Sequence, residues 1–372
     1  SIDAGGVEIL LTRFYQYIDR TKFHWNFVVP VDDKHELGLS EGKLKDLGAS
    51  IYYIPRKVPN FVWHLISFKR VIESKHFDII HSHVDEFSVF YLAIAKHYGI
   101  KHRIAHCHVS HVKRGLIFEL ISKIVKPFLP LVATNYFACS KDAGKFLFGE
   151  KPFFVLHNAI NKCNFKYNEL KRVELRRKLR ILQDEIVIGC VGRFSPQKNH
   201  KFLIRIFSEL HKLNRKTKLI LVGGGDLEKE IRLQIDKESL SDAVIFTGVV
   251  PNVGDYLSAF DYFVLPSLFE GLGIVYVEAQ ASNLVCFAPL ENVPHEVKIS
   301  ENLHFISINK TAKEWAKIIL ATPENTNRGE ESTSFIDCNG YNIGKEAKVF
   351  QNKYLEILNE NETGLGGYKE IS

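Results

Sequence analysis

Short apolar runs alternate with amphipathic, helix-like stretches along nearly all of this 372-residue chain. Such alternation is typical of α/β architecture built on parallel strands. The runs that predict strands are WNFVVP (25–30), ASIYYIP (49–55), FDIIHSH (77–83), HRIAHCH (102–108), NYFACS (135–140), EIVIGCVGRF (185–194), KLILVGGG (218–225), AVIFTGVV (243–250), YFVLPS (262–267) and VCFAPL (285–290). Loops rich in Gly, Pro and Ser follow these runs, and open α/β sheets bind their ligands at the carboxyl ends of strands.

The length is sufficient for two domains of ordinary size. We expect one α/β half over residues 1–165 and a second over 166–340, with the polar stretch 161–172 as the linker. No strand precedes the loop-like SIDAGGVE, so a first strand is expected to lie before Ser1. Near the end, residues 340–360 have a helical spacing of apolar side chains, and a loose tail is expected to follow. The spaced residues are Ile343, Ala347, Phe350, Tyr354 and Leu358.

Composition places the chain among globular proteins, because 45% of its residues are hydrophobic and 25% are charged. No uncharged apolar run approaches the ~18 residues of a membrane span, and no secretory signal is visible. The six cysteines are scattered without a CxxC pair. This usage favours reduced thiols in a cytoplasm over a disulfide frame or a cysteine zinc site.

The positive charge is concentrated in the first half. Residues 1–165 contain 22 Lys and Arg against 15 Asp and Glu, although the net charge of the whole chain is only +6. Within this half, HVKRGLIFELISKIVKPFLP (111–130) interleaves cations with apolar residues at helical spacing. Such a helix fits either an anionic membrane surface or a core contact with a solvated basic face. No motif of nucleic-acid recognition is present, so no nucleic-acid partner is expected.

Two stretches combine charge with glycine after predicted strands. VGRFSPQKN (191–199) places Arg193 and Lys198 in a loop before a helix, where two cations suit a diphosphate but would also suit an ordinary surface loop. LFEGLGIVYVEAQ (268–280) places the carboxylates Glu270 and Glu278 eight positions apart, around the flexible Gly271–Gly273 segment.

Two further glycine-rich stretches are weaker signals. AGGVEI (4–9) pairs Gly5 and Gly6 before a helical pattern, which fits a phosphate-binding backbone or a simple turn. LVGGGDLEKEI (221–231) lacks both the GxGxxG and the GK[ST] spacing, so a tight turn capped by Asp226 explains it.

Histidines occupy the ends of two neighbouring predicted strands, in HSH (81–83) and HCH (106–108), with His111 soon after. Alternate residues of a strand point to one face, so each pair of rings shares a side. A metal site is conceivable there, although strand-end histidines more often line a polar cleft as bases or hydrogen-bonding groups. Cys107 faces the opposite way and need not join them.

Taken in order, these motifs resemble those of retaining glycosyltransferases of family 4, which have the two-domain GT-B fold. EGLGIVYVE resembles the family's E-x7-E element, VGRFSPQKN its strand–loop segment, and AGGVE its first glycine loop. FACSKDAGKFLFG (137–149) and VLHNAINKCNF (155–165) resemble the stretches that close the first domain, with Asn161 in place of the more usual Asp. The resemblance covers nearly the whole chain and is closest to bacterial capsule and exopolysaccharide enzymes.

The resemblance implies a role for each motif. Glu270 would contact hydroxyls of the donor sugar, and Glu278 would contact the ribose hydroxyls. The diphosphate would bind at the start of a helix, to the backbone of Gly271, Leu272, Gly273 and Ile274. Glu278 would then lie about two turns into this helix. The local sequence favours a different structure here, because the β-branched and aromatic residues of IVYV have a propensity for strands. Arg193 and Lys198 would neutralise the leaving diphosphate, and Gly5 and Gly6 would belong to the donor site. His108, with His106 as the fallback, would hydrogen-bond near the donor sugar and the acceptor.

The family also implies an overall organisation and a reaction. Two Rossmann-like domains with parallel sheets would face a central cleft, and the helix over 341–360 would cross back to the first domain. The donor would be a nucleotide-diphosphate sugar, most simply a UDP-sugar, used without a metal or cofactor. The acceptor would be a glycan, lipid-linked at the inner membrane face if the basic first half contacts lipid. Two alternatives stay open, namely a GT-B epimerase that consumes donor without acceptor and a non-catalytic sugar-nucleotide-binding protein.

Overall fold

The computed structural model describes residues 6–31, 39–57, 60–109, 116–329 and 334–363. The chain divides into two compact units. The first comprises Ser1–Ala159 together with Ile343–Ser372, and the second comprises Ile160–Asn342. The boundaries expected from the sequence are 165/166 and 340/341.

The first unit contains two parallel sheets. Its helices are α1 (Gly6–Tyr17), α2 (Leu39–Asp46), α3 (Phe61–Ser74), α4 (Ser88–His97), α5 (Leu116–Val125), α6 (Leu129–Val132), α7 (Lys141–Phe148) and, at the end of the chain, α15 (Ile343–Thr363). Its strands are β1 (Asn26–Val31), β2 (Ser50–Pro55), β3 (Ile79–Ser82), β4 (His102–Cys107), β5 (Asn135–Ala138) and β6 (Phe154–Val155). Strands β1 and β2 pair with each other, and β3, β4, β5 and β6 form a second sheet in that order.

The second unit is built on one six-stranded parallel sheet. Its helices are α8 (Glu169–Lys178), α9 (His200–Leu213), α10 (Glu228–Lys237), α11 (Val253–Ala259), α12 (Ile274–Ala281), α13 (Ala312–Ala321) and α14 (Ser334–Cys338). Its strands are β7 (Ile186–Val191), β8 (Thr217–Val222), β9 (Val244–Gly248), β10 (Tyr262–Val264), β11 (Val285–Pro289) and β12 (Leu303–Ile306), in the sheet order β12-β11-β10-β7-β8-β9. The order reverses between β7 and β10, which creates the switch point at which such sheets bind ligands.

Every apolar run predicted as a strand contains one. The sequence missed β6 and β12, which are only two and four residues long and follow polar or turn-rich segments. The predicted linker, 161–172, is wrong, because this stretch belongs to the second unit. There the Arg172 guanidinium donates to the carbonyl oxygens of Ser258, Ala259 and Phe260 at 3.1–3.3 Å.

Helix α15 supplies part of the core of the first unit although it follows the second unit in sequence. Its buried apolar residues in this core are Ile343, Ala347, Phe350, Tyr354 and Ile357. The last of these corrects the prediction of Leu358, since Ile357 is the fully buried residue in this turn. The Phe350 ring lies 5.2 Å from that of Phe14 in α1 and 5.5 Å from that of Trp25. The docking of α15 therefore depends on aromatic packing.

We expect Phe350→Ala to lower the free energy of unfolding by about 3–5 kcal/mol, because it leaves a cavity among aromatic rings. Urea denaturation of the whole chain would measure the change. The matched control is Val349→Ala, since Val349 is 41% exposed in the same turn and its loss should stay within about 0.5 kcal/mol. Equal effects of the two substitutions would contradict the packing described here.

Candidate active site

The loop after β7 lies at the switch point of the second sheet. Residues 196–198 form a short 3-10 turn, and Asn199 then adopts a left-handed conformation (φ 54°) before α9 begins at His200. The Asn199 side-chain amide donates to the carbonyl oxygen of Pro266, 3.0 Å away, in the segment after β10. Asparagine tolerates the left-handed region better than most residues, so one side chain sets the turn and connects the two loops.

Glu270 is the most constrained charged group in this region. Its side chain is 5% exposed and accepts from Lys198 Nζ at 2.7 Å, Ser267 Oγ at 2.6 Å and Gln197 Nε2 at 3.3 Å. A buried carboxylate needs such compensation, because an unpaired charge in the interior is costly. The structure thus brings together two of the predicted donor-site residues, Glu270 and Lys198, as an ion pair.

Ser267 and Gln197 are site residues that the sequence analysis missed. Gln197 also donates to the carbonyl oxygen of Phe269 at 3.0 Å, and the amide of Leu268 donates back to the carbonyl oxygen of Gln197 at 2.8 Å. Their positions within the two motifs were the available signal, since Gln197 precedes Lys198 and Ser267 lies three residues before Glu270.

Helix α12 begins at Ile274, so the prediction of a helix is confirmed against the β-propensity of IVYV. Gly273 precedes it with φ 85°, and a Cβ there would lie 2.9 Å from the Tyr276 ring. Only glycine fits this position without strain. All residues from Val275 to Ala281 are buried, so tertiary packing outweighs the local preference for a strand.

Glu278 is the fifth residue of α12 and is 6% exposed. It lies just over one turn into the helix. The prediction of about two turns is wrong, because the helix begins only at Ile274. Gly271, Leu272 and Gly273 precede the helix, so their backbone and that of Ile274 form its amino-terminal entry. The positive end of the helix dipole lies at this point, which favours an anion.

Arg193 contrasts with Lys198. It is exposed, and within the described residues no acceptor pairs with its guanidinium. Lys198 is 17% exposed and already paired with Glu270. Arg193 is therefore the cation of the motif whose full charge remains available to a ligand.

The glycine run after β8 packs directly on the loop after β7. Gly223 has φ 134°, and a Cβ there would lie 2.2 Å from the carbonyl oxygen of Gly192. The amide of Phe194 donates to the carbonyl oxygen of Gly224 at 2.9 Å. The run thus positions the Arg193 loop. The predicted cap at Asp226 is wrong, because Leu227 precedes α10 and makes no side-chain cap.

The predicted glycine loop of the first unit is less constrained. Gly5 and His111 lie outside the described residues. Gly6 is the exposed first residue of α1, and nothing would crowd a Cβ there. The structure therefore gives no packing reason for glycine at residue 6.

His108 is held from two sides. Its backbone amide donates to Asp85 Oδ1 at 2.8 Å, and its Nε2 lies 2.9 Å from His83 Nδ1. Burial lowers the pKa of His108 to about 3, so its ring is neutral at pH 7. Asp85 itself has φ 51°, an uncommon conformation that aspartate accepts. Asp85 was not among the predicted residues, although it follows HSH by two residues.

His106, the fallback for His108, belongs to a second chain of contacts. Its Nδ1 lies 3.1 Å from His81 Nε2, and His81 Nδ1 lies 2.7 Å from the Tyr354 hydroxyl of α15. His106 is fully buried, and burial lowers the pKa of both histidines well below the usual value. No local signal could have connected Tyr354 to the histidines, because 273 positions separate it from His81.

Comparison with known proteins adds a family. The family model described as glycosyl transferases group 1 matches residues 171–335, within the second unit. A Bacillus subtilis protein named putative glycosyltransferase EpsF is 29% identical over 368 residues, which cover 96% of this chain and 94% of that protein. An Escherichia coli protein named UDP-Gal:alpha-D-GlcNAc-diphosphoundecaprenol alpha-1,3-galactosyltransferase is 24% identical, with 79% of each chain covered.

Among solved structures, the complex of Anabaena Alr3699/HepE with UDP-glucose superposes with a TM-score of 0.78. It covers 96% of this chain and 97% of that chain at 18% identity, which shows a shared fold. The predicted GT-B class, with parallel sheets in two Rossmann-like units, is thereby confirmed. The second unit therefore contains a glycosyltransferase group 1 domain, and the chain is similar along nearly its whole length to a protein named as a putative glycosyltransferase.

Proposed function

We propose that the protein is a retaining glycosyltransferase that moves a sugar from a UDP-sugar to a lipid-linked glycan acceptor. The observation that carries this proposal is the Glu270 carboxylate, which Lys198, Ser267 and Gln197 fix at the switch point of the second sheet. A carboxylate held in this way can accept hydrogen bonds from sugar hydroxyls without moving.

The diphosphate of the donor would bind where positive charge converges. Arg193 contributes an exposed guanidinium with no partner in the described chain. The backbone amides from Gly271 to Ile274 lie at the amino-terminal end of α12. Lys198 adds a charge that it can share between Glu270 and a phosphate. Glu278 would accept hydrogen bonds from the ribose hydroxyls. The proposed diphosphate site uses these cations and amides and needs no metal ion.

The proposed transfer follows from this charge distribution. The bond between sugar C1 and the diphosphate oxygen breaks, and the acceptor oxygen forms its bond to C1 on the same face. The leaving diphosphate takes the proton of the acceptor hydroxyl, so the products are the glycosylated acceptor and UDP. Negative charge grows on the diphosphate during this step, and Arg193, Lys198 and the helix amides stabilise it. The neutral ring of His108 would hydrogen-bond the sugar or the acceptor.

The names of the relatives support the substrates. The Escherichia coli relative is named for a UDP-galactose donor and a diphosphoundecaprenol-linked acceptor, and HepE binds UDP-glucose in its crystal structure. Both relatives reported above are named as transferases, so an epimerase or a non-catalytic binding protein is not favoured.

We expect UDP to raise the melting temperature of the wild-type protein in the presence of a chelator, because a ligand of the native state stabilises it by mass action, by about 2.7 kcal/mol at a concentration of 100 Kd. Glu278→Ala and Lys198→Ala should lose most of this shift, measured for each variant with and without UDP. Lys201→Ala is the matched control, since Lys201 pairs with the exposed Glu230 and should leave the shift unchanged. GDP, ADP and dTDP serve as competitors for the base. A folded protein that none of the four nucleotides stabilises would contradict the donor site.

The segment from Leu116 to Val132 supports a membrane contact in the first unit. It exposes apolar side chains beside the exposed Lys123, and Lys126 is the next cation along it. The exposed apolar residues are Leu120 (61%), Ile124 (58%), Phe128 (52%) and Leu131 (62%). In the described parts of the chain no helix has the length and apolar character to span a bilayer. We therefore propose that this segment rests on an anionic bilayer at the cytoplasmic face, where a lipid-linked acceptor would be found.

We expect the protein to sediment with vesicles that contain phosphatidylglycerol, and to do so less as salt rises. A triple variant with Leu120, Ile124 and Phe128 each replaced by Ser should bind at least about tenfold more weakly, since it loses buried apolar area. The control replaces Leu182 and Leu213 by Ser, because these exposed leucines lie in the second unit. Similar losses in both variants, or sedimentation that ignores lipid charge, would refute the proposed surface.

A further inference from the structure

The proposed function does not use His81, His83 and His106, here called the histidine cluster. Residues His81 and Ser82 of β3 pair with Ile104 and Ala105 of β4, so the histidines at alternate positions of both strands share one side of the sheet. The ring centroids lie close together, at 4.2 Å for His81 and His83 and 5.0 Å for His83 and His106. The side chains therefore converge, although alternate residues of a strand are about 6.6 Å apart along the backbone.

The nitrogens of the cluster match the size of a metal site. One ring nitrogen from each histidine lies within 4.8 Å of the other two, and across the described residues no other group of three or more potential ligands meets this condition. His81 Nε2 and His106 Nδ1 are 3.1 Å apart. Zinc–nitrogen bonds of ~2.05 Å in a tetrahedron require a nitrogen separation of about 3.3 Å. One edge of the tetrahedron is thus nearly formed, and small ring rotations would bring in the third ligand.

In His81 and His83, the second ring nitrogen makes the outer contact that metal-bound histidines usually make. Tyr354 contacts His81 Nδ1 at 2.7 Å, and His108 Nε2 contacts His83 Nδ1 at 2.9 Å. Such outer contacts fix the orientation of each ring and leave Nε2 to face a metal. Tyr354 lies on α15, so the aromatic core of the first unit also determines the orientation of His81.

One ring nitrogen of the cluster has no partner in the described part of the chain. His106 is fully buried, and its Nε2 has no hydrogen-bond partner among the described residues. Leaving a buried polar atom unpaired is unfavourable. His106 would bind the ion through Nδ1, the nitrogen that faces His81, so the unpaired Nε2 would carry the ring proton and would not itself contact the ion.

The ligand set selects the class of metal. All three ligands are imidazoles, and the neighbouring Cys107 instead donates its thiol to the carbonyl oxygen of Val109 at 3.3 Å. Imidazole suits zinc, copper and nickel better than magnesium or calcium.

We propose that His81, His83 and His106 bind one divalent transition-metal ion, of which Zn²⁺ is the reference case, with a fourth position open to water or an anion. The site goes beyond the proposed donor chemistry, since its residues belong to the first unit and Glu270, Lys198 and Glu278 belong to the second. The ion acts on the transfer indirectly, because His83 contacts the His108 ring.

The test is a titration of the chelator-treated full chain with Co²⁺, which gives strong visible absorption bands in tetrahedral sites, followed by calorimetry with Zn²⁺. We expect one equivalent to bind with micromolar or tighter affinity. His83→Gln should weaken binding at least about 100-fold, and Tyr354→Phe about 10-fold through the loss of an outer contact. The control His76→Gln alters a histidine of the first unit that is 90% exposed, and it should bind as the wild type does.

Several outcomes would overturn the proposal. The first is a folded wild-type protein without cobalt bands, and the second is a loss of affinity in His76→Gln as large as in His83→Gln, which would indicate adventitious surface binding. If His83→Gln does not fold, Tyr354→Phe still tests the proposal. Metal affinity equal to that of the wild type in Tyr354→Phe would contradict the outer contact to His81 and with it the proposed site. Stabilisation by UDP is measured separately, in the presence of a chelator. The proposed donor site and the proposed metal site can therefore be contradicted independently of each other.

Discussion

The ion pair between Lys198 and Glu270 is the interaction on which the second unit's site depends. It connects the loop after β7 to the loop after β10, and these are the two strands between which the sheet order reverses. Removing one partner of such a buried pair costs about 3–5 kcal/mol, because the other charge stays buried without compensation. The pair therefore fixes the relative positions of two loops that the sheet alone would leave to vary, and Ser267 and Gln197 hold the carboxylate in one orientation.

The same pair also limits how the site can use its charges. Lys198 is already neutralised by Glu270, so the net charge offered to a diphosphate comes from Arg193 and from the amides that open α12. In the proposed donor site, a diphosphate would share the Lys198 ammonium group with Glu270. Donor binding and the hydrogen bonding of Glu270 would then be coupled through this ammonium group, which has three donors to distribute.

The first unit depends on a different kind of interaction. Its aromatic core joins α1 to α15, and α15 is synthesised only after the whole second unit. The contact of Tyr354 with His81 lies at the edge of this core. Packing of the last helix consequently helps to set the orientation of His81 at the end of β3, and this contact forms only when the end of the chain has folded back.

The sequence alone determined the α/β class, the positions of the longer strands and the motifs that contain Glu270, Glu278, Arg193 and Lys198. An apolar run of five or six residues indicates a buried strand, whereas the two residues of β6 are too few to show a strand pattern. Sequence reasoning also placed a linker at 161–172, because polarity does not reveal that Arg172 caps the carbonyls of a distant segment. The helix at 274–281 required the family resemblance, since its residues prefer a strand until burial decides otherwise.

Only the tertiary structure decided how these residues meet. The partners of Glu270 come from two loops about 70 positions apart, and the contact of His81 with Tyr354 joins residues 273 positions apart. Such contacts arise from how strands and helices pack, and neither periodicity nor composition records them. The sequence therefore specified which groups carry charge or lone pairs, and the fold decided which are paired with each other and which remain available to a ligand.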